Sequence, residues 1–242
     1  MYSLDDTIAA IATPLGQGGI GIVRLSGPES WQIATRLFAP ADSRALSEIE
    51  PNRLYYGRIV NPVSHRQVDE VLLSFMRAPR TYTRQDVVEI NAHGGPIPLR
   101  EILKLCLREG ARAAHEGEFT LRAFLNGRLD LAQAEAVLDV ICAKTEAALR
   151  VAVDQLGGRL SREVRAIRSA LVETLAYLEA TIDFADNEIP PHDIGPELAT
   201  TERRLDDLLR SANRGVIYRQ GIHTAIVGRP TVGKSSLLNV LL

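Results

Sequence analysis

The spacing of apolar positions changes character partway along the chain. Thr7–Thr13 and Ile20–Leu25 are short apolar segments separated by Gly16-Gln17-Gly18-Gly19, which predicts two strands joined by a glycine-rich turn. Ser26-Gly27-Pro28 opens a predicted helix with Pro28 in its first turn and Trp31, Ala34, Leu37 and Phe38 on one face. Leu54–Val60 and Val68–Met76 predict a strand pair across a polar turn. Val87–Asn91 predicts another strand, ended by His93-Gly94-Gly95-Pro96, and Ile97–Leu107 repeats at helical spacing up to Gly110. Strands partly joined as a hairpin and mixed with helices predict an α+β domain over residues 1–118.

Beyond Glu118 the period is helical. Leu131, Ala134, Leu138, Ile141, Thr145, Ala148, Leu149 and Ala152 predict one helix that ends at Gly157-Gly158. Leu160, Val164, Ile167, Leu171, Leu175, Leu178 and Ile182 form the stripe of a second, long helix, of the kind that packs in a bundle. Pro190-Pro191 and Gly195-Pro196 break the pattern, and Leu198, Leu205, Leu208 and Leu209 mark a third helix. Residues 119–215 therefore read as an all-α domain. Residues 216–242 read as the start of an α/β domain, with a β-rich run at Ile222–Val227, a glycine-bounded loop at Gly228–Ser236 and a helical pattern from Leu237.

Composition removes several classes. At 242 residues, with 45% hydrophobic and 24% charged side chains, the chain is of ordinary globular make-up, neither disordered nor fibrous. Its net charge of −2 argues against a chain-wide nucleic-acid surface while leaving room for a local patch. Two cysteines, Cys106 and Cys142, make no disulfide framework or metal cluster, and both fall on apolar helix faces where a buried, inert thiol is expected. The first residues lack the basic start of a signal peptide. The longest uncharged run, Thr7–Val23, holds Pro14 and four glycines, so no membrane helix is expected and a soluble cytoplasmic protein is.

One motif carries chemistry. Gly228-Arg229-Pro230-Thr231-Val232-Gly233-Lys234-Ser235 fits G-x-x-x-x-G-K-[ST], between a predicted strand and a predicted helix. The glycines let backbone N–H groups turn inward to phosphate oxygens, Lys234 adds a point charge at the β- and γ-phosphates, and the Ser235 hydroxyl suits magnesium. The helix that follows places its N-terminus at the same anion. Hydrolysis needs further elements that lie downstream of such a loop, and seven residues follow Ser235, so the chain is expected to be a fragment without catalytic residues or nucleotide hydrolysis of its own.

Several segments together resemble one family. Gly228-Arg229-Pro230 running into Gly233-Lys234-Ser235-Ser236-Leu237-Leu238-Asn239 is similar to Era-like GTPases. Asp6-Thr7-Ile8, Ala12-Thr13-Pro14, Gly18–Arg24, Glu89 with His93-Gly94-Gly95-Pro96, Gly117-Glu118-Phe119, Arg122–Asn126, Leu129–Ala136 and Asp183-Phe184 resemble the MnmE (TrmE) family of tRNA-modification GTPases. The resemblance implies a tetrahydrofolate-binding, dimerising N-terminal domain, a helical domain, and a GTPase domain inserted into it. It further implies modification of the wobble uridine of certain tRNAs, installing a carboxymethylaminomethyl-type group with the flavin-dependent partner MnmG (GidA). The one-carbon unit would come from 5-formyl- or methylene-tetrahydrofolate, with GTP, magnesium and potassium as cofactors. Folate contacts carry over to Arg24, Glu89 and Arg128, the last often lysine in the family. The nucleotide contacts carry over to Thr231, Val232, Gly233, Lys234, Ser235 and Ser236. Ser235 is the implied magnesium ligand and Thr231 the implied potassium ligand, where the family commonly has asparagine. The rival readings are a non-catalytic folate-binding or dimerisation module with a vestigial P-loop, and an assembly GTPase with no tRNA role.

Weaker constellations read as structure first. Arg159, Arg162, Arg165 and Arg168 form a drifting basic stripe that suits phosphates but more simply a solvated helix face. Asp183, Asp186, Glu188 and Asp193 read as a helix end and bend rather than a metal loop. His93 suits either acid–base work near a folate or support of its turn. Leu237, Leu238, Val240, Leu241 and Leu242 are expected to lie exposed or badly docked.

Overall fold

The structure is a computed structural model that describes residues 5–42, 50–184, 189–220 and 224–241. Asp186, Glu188, Ile222 and Leu242, named above, lie outside the described residues. The chain forms two compact units, Met1–Ala134 and Glu135–Leu242. Among the described residues no helix is long and apolar enough to cross a membrane.

The first unit is built on a seven-stranded sheet. Its strands are β1 (Ile8–Ile11), β2 (Gly18–Ser26), β3 (Phe38–Pro40), β4 (Leu54–Val60), β5 (Gln67–Met76), β6 (Val87–Gly94) and β7 (Arg112–Ala113), in the order β3-β4-β5-β6-β2-β1-β7. All neighbours are antiparallel except the short parallel pair of β1 with β7. Helices α1 (Ser30–Leu37) and α2 (Pro96–Arg108) pack on the sheet, where Ile33, Ala34, Leu37, Leu99, Ile102, Leu105 and Cys106 meet Val23, Leu25, Leu73, Val88 and Ile90. Alternation along the strands then puts Arg24 and Glu89 on the opposite face from this core.

Local details differ from the periodicity. Pro28 precedes α1 instead of sitting in its first turn, and the chain there is held to the residue just ahead of β1: the Glu29 N–H donates to Thr7 Oγ1 at 2.9 Å. Gly27 has φ +139°, and a Cβ on it would lie 2.6 Å from the Asp6 carbonyl oxygen, so only glycine fits. Phe38 leaves the helix to begin β3, although it stays buried. The break expected at residue 118 falls inside the first unit, which also contains α3 (Glu118–Leu125).

The second unit is helical, with α4 (Leu131–Cys142) entering it, then α5 (Glu146–Leu156), α6 (Arg159–Asp183), α7 (Gly195–Gln220) and α8 (Lys234–Leu241). The single helix expected over 131–152 is two. Thr145 is the N-cap of α5, its side chain accepting from the Ala148 N–H at 3.1 Å, and this cap stops the pattern that its neighbours would continue. Asp130 and Gln133 exchange side-chain-to-backbone hydrogen bonds at 3.0 Å, a capping box that starts α4. Cys106 is buried, and desolvation pushes its thiol up to about 12, whereas Cys142, expected to be buried, is exposed: it lies in the last turn of α4, off the packed side. The helix α7 continues through the expected boundary at 215. Thr224–Val227 pair with no strand among the described residues, and α8 begins at Lys234, within the expected loop.

Ile90 is fully buried between β2 and β5. Ile90→Ala is expected to destabilise the first unit by about 2–5 kcal/mol. Urea unfolding read from the fluorescence of Trp31, the single tryptophan, which stacks on Phe75 at 4.6 Å, measures this.

Candidate functional site

The site begins with a cross-strand pair. Arg24 on β2 and Glu89 on β6 are register partners. Arg24 Nε donates to Glu89 Oε1 at 2.8 Å and Nη2 lies 2.6 Å from the same oxygen, with the two side chains 29% and 22% exposed. Both contacts fall on Oε1, so the carboxylate keeps a second oxygen for another donor. The Arg24 guanidinium lies 5.7 Å from the ring centroid of Phe119, on α3. The next residue, Thr120, shares a 2.9 Å hydrogen bond with the hydroxyl of Tyr82, and Arg128 lies over the Tyr82 ring at 4.7 Å. The three residues carried over as folate contacts are thus linked through two aromatic rings.

Sequence reasoning missed Tyr82 and gave Phe119 no role at the site. Phe119 stood inside the resemblance as part of Gly117-Glu118-Phe119. Tyr82 lies in the 77–86 loop between β5 and β6, and only its aromatic character among polar neighbours marked it. That loop is laced to its surroundings. Ser26 Oγ and Thr83 Oγ1 are 2.7 Å apart in the interior, Asn126 Nδ2 donates to the Thr83 carbonyl at 2.7 Å, and Arg84 Nη1 donates to the Asn126 carbonyl at 2.9 Å.

Placement of α3 rests on a charged cluster beneath it. Arg122 and Glu118 have side chains only 1% exposed. Arg122 Nη1 donates to the Asp6 carbonyl at 2.8 Å and to Gln85 Oε1 at 3.1 Å, and Nη2 donates to Glu118 Oε1 at 3.1 Å and to Asp6 Oδ1. Arg112, on β7, donates to Glu118 at 2.5 and 3.0 Å and to Asp6 Oδ2 at 2.6 Å. The His115 N–H adds a 2.8 Å bond to Glu118 Oε2. Burial pushes the Glu118 carboxyl up, but hydrogen bonds from Arg112, the His115 backbone and Arg122 outweigh it and bring it down to about 2. The Asp6 carboxyl is raised by desolvation and lowered further by Arg112 and Arg122, with a net downward shift.

His93 is placed apart from this aromatic bridge. Its Nδ1 is 2.7 Å from Asp69 Oδ1 and its N–H donates to Asp69 Oδ2 at 2.9 Å, a tie between the ends of β5 and β6. The arginine stripe is exposed and partly engaged with its own helix start: Arg162 donates to the Gly157 carbonyl at 2.7 Å and Arg165 to Ser161 at 3.0 Å, while Arg159 lies 3.7 Å from Asp154. Asp193 Oδ1 accepts from the Gly195 N–H at 2.9 Å, the helix-boundary role expected of it.

The phosphate-loop residues are contiguous at the start of α8. Thr231 and Gly233 have left-handed backbones, φ +65° and +89°, which turn the loop back on itself. Lys234 Nζ donates to the carbonyls of Gly228 at 3.0 Å and Arg229 at 2.6 Å, so its ammonium is drawn over the loop. An open cleft of about 450 Å³ lined by Thr224, Ile226, Lys234, Ser235, Leu238 and Leu241 lies alongside. Val232, Ser235 and Ser236 are exposed, as are Leu237, Leu238, Val240 and Leu241, the last four as expected.

An α+β unit that gathers a carboxylate, two guanidinium groups and two aromatic rings, joined in one chain to a helical unit that carries a G-x-x-x-x-G-K-S motif, defines the class: a P-loop-motif protein with an N-terminal α+β domain. The family profile described as GTP-binding protein TrmE N-terminus matches residues 7–128, and that of the MnmE helical domain matches residues 131–234. The chain belongs to the TrmE (MnmE) family. It is 53% identical over 240 residues to the tRNA modification GTPase MnmE of Bacillus subtilis (strain 168), covering 98% of this chain and 52% of that protein. It is 52% identical over 238 residues to that of Roseiflexus castenholzii (strain DSM 13941 / HLO8), covering 98% and 50%. The chain spans about half the length of the curated relatives it matches.

The depressed Glu118 carboxyl has a pH consequence. Its folded value near 2 lies below the ordinary 4.5, so the stabilisation is complete above about pH 4.5 and is lost as pH falls from there towards 2. Thermal unfolding between pH 7 and pH 2.5 is expected to show this loss. Glu118→Gln should be less stable at pH 7, by roughly 3–5 kcal/mol for a broken buried pair, and should show a flatter acid slope.

Proposed function

We propose that this chain is the folate-binding and helical part of a cytoplasmic tRNA-modification GTPase. In this reading the enzyme acts with MnmG (GidA) on the wobble uridine of certain tRNAs, installing a carboxymethylaminomethyl-type group with a one-carbon unit from 5-formyl- or methylene-tetrahydrofolate. The observation that carries it is the set formed by Arg24, paired with Glu89 and lying at the Phe119 ring, and Arg128, lying over the Tyr82 ring. This donor set fits a reduced folate: Glu89 accepts from the donor-rich edge of a pterin, guanidinium groups take tail carboxylates, and aromatic faces border a flat ring.

Residues Thr231 to Ser236 would bind GTP through backbone N–H groups, with Lys234 leaving its own loop carbonyls for the phosphates. The Ser235 hydroxyl would hold magnesium and the Thr231 hydroxyl would face potassium. A homodimer through the first unit fits the exposed side of its sheet, where Tyr56, Leu72, Asn91 and Ile22 form one cross-strand row beside the row of Arg24 and Glu89.

Titration of 5-formyltetrahydrofolate into the 242-residue chain by calorimetry tests the reading. Arg24→Ala and Glu89→Ala are each expected to weaken binding at least about tenfold, the worth of one charge-assisted contact. Equal affinity in wild type and both variants would remove the folate site.

A further inference from the structure

Arg128 differs from the other two folate contacts in how it is held. Arg24 is fixed by an ion pair, whereas Arg128 is an exposed residue on the Gly127–Asp130 stretch after α3, and its guanidinium lies over the Tyr82 ring at 4.7 Å. A long exposed arginine samples many rotamers, and ordering it on a ligand costs entropy. A flat ring beneath the guanidinium removes much of that freedom, because the planar cation stacks on an aromatic face as an ammonium does not. Tyr82 is itself immobilised. Its hydroxyl bonds Thr120 at 2.9 Å, and its neighbour Thr83 is buried against Ser26 at 2.7 Å.

We infer that Tyr82 is a positioning residue that holds the Arg128 guanidinium for the carboxylate tail of a reduced folate, so that Tyr82 and Arg128 together set the preference for a glutamate-bearing folate over a bare pterin. This rests on the folate reading above. It divides the site into two parts with separate chemistry: Glu89, beside Arg24 and Phe119, reads the pterin edge, and Arg128 on Tyr82 reads the tail. Arginine at 128 is matched to a ring at 82, and the pair acts as one unit.

The test compares tetrahydrofolate with 6-methyltetrahydropterin, which lacks the tail, binding to the full 242-residue chain by calorimetry. Arg128→Ala and Tyr82→Leu are each expected to weaken tetrahydrofolate about three- to tenfold and to leave 6-methyltetrahydropterin unchanged, with the double variant no weaker than Arg128→Ala alone. Tyr82→Phe keeps the ring and should stay within about twofold of wild type, which guards against a Leu variant that fails to fold. Glu89→Ala should weaken both ligands. Wild-type affinity for tetrahydrofolate in Tyr82→Leu, equal loss of both ligands in it, or a Tyr82→Phe variant as weak as Arg128→Ala would each overturn the inference while the Glu89 result stands. Failure of the wild type to bind either ligand would overturn the folate reading, and the inference with it.

Discussion

Arg122 is a guanidinium with almost no access to water, and a charge in that position is tolerated only when anions and acceptors surround it. Here they come from three distant parts of the chain: Asp6 just ahead of β1, Gln85 in the loop before β6, and Glu118 one turn back on α3. Arg112 closes the cluster from β7. None of these elements is placed by apolar burial alone. Strand β7 has two residues and α3 has eight, too little to dock on hydrophobic area, so the ion cluster fixes where they sit. The candidate site inherits this placement, since Phe119 follows Glu118 directly and Thr120 is two residues on.

The same dependence explains which parts of the molecule were legible in the sequence. Strands β4 and β5 are runs of seven and ten residues rich in β-branched, aromatic and aliphatic side chains on either side of a polar turn, and helices α2 and α6 repeat at helical spacing over 13 and 25, so composition sets the type of the first pair and period that of the second. Short elements escaped. Strand β3 continues directly from α1, and its Phe38 keeps the apolar phase of the helix while the backbone has already become extended. The split of 131–152 into α4 and α5 turns on one hydroxyl, that of Thr145, whose spacing places it in the helical stripe while its side chain caps a new helix.

The site was legible by a different route and to a different depth. Arg24 and Glu89 emerged from a resemblance of linked motifs, and the register of β2 against β6 then supplies the physical reason that they act together. Tyr82 could not emerge in that way. Its value comes from a tertiary juxtaposition of residues 82, 120 and 128, and no local period or spacing encodes the meeting of a loop, a helix and the turn that follows it. Cys142 erred in the opposite sense: its phase on α4 suggested burial, but a last-turn position exposes whichever face the packing partner does not reach.

The two ends of the chain prepare their chemistry to different degrees. Around Arg24 and Glu89 the side chains are partly shielded, mutually paired and backed by a sheet whose core residues are fully buried, so the geometry is fixed before any ligand arrives. The phosphate loop carries its ordering in the backbone instead, in the left-handed Thr231 and Gly233, while Lys234 bonds two carbonyls of its own loop. To bind the nucleotide proposed for it, an ammonium so engaged would exchange those neutral acceptors for phosphate oxygens. The exchange is favourable because charge-assisted contacts are about twice as strong as contacts to neutral groups. In the proposed folate reading, ligand selection at the first site would be set by side chains held in place beforehand. In the proposed nucleotide reading, binding at the second would turn on how readily Lys234 changes partners.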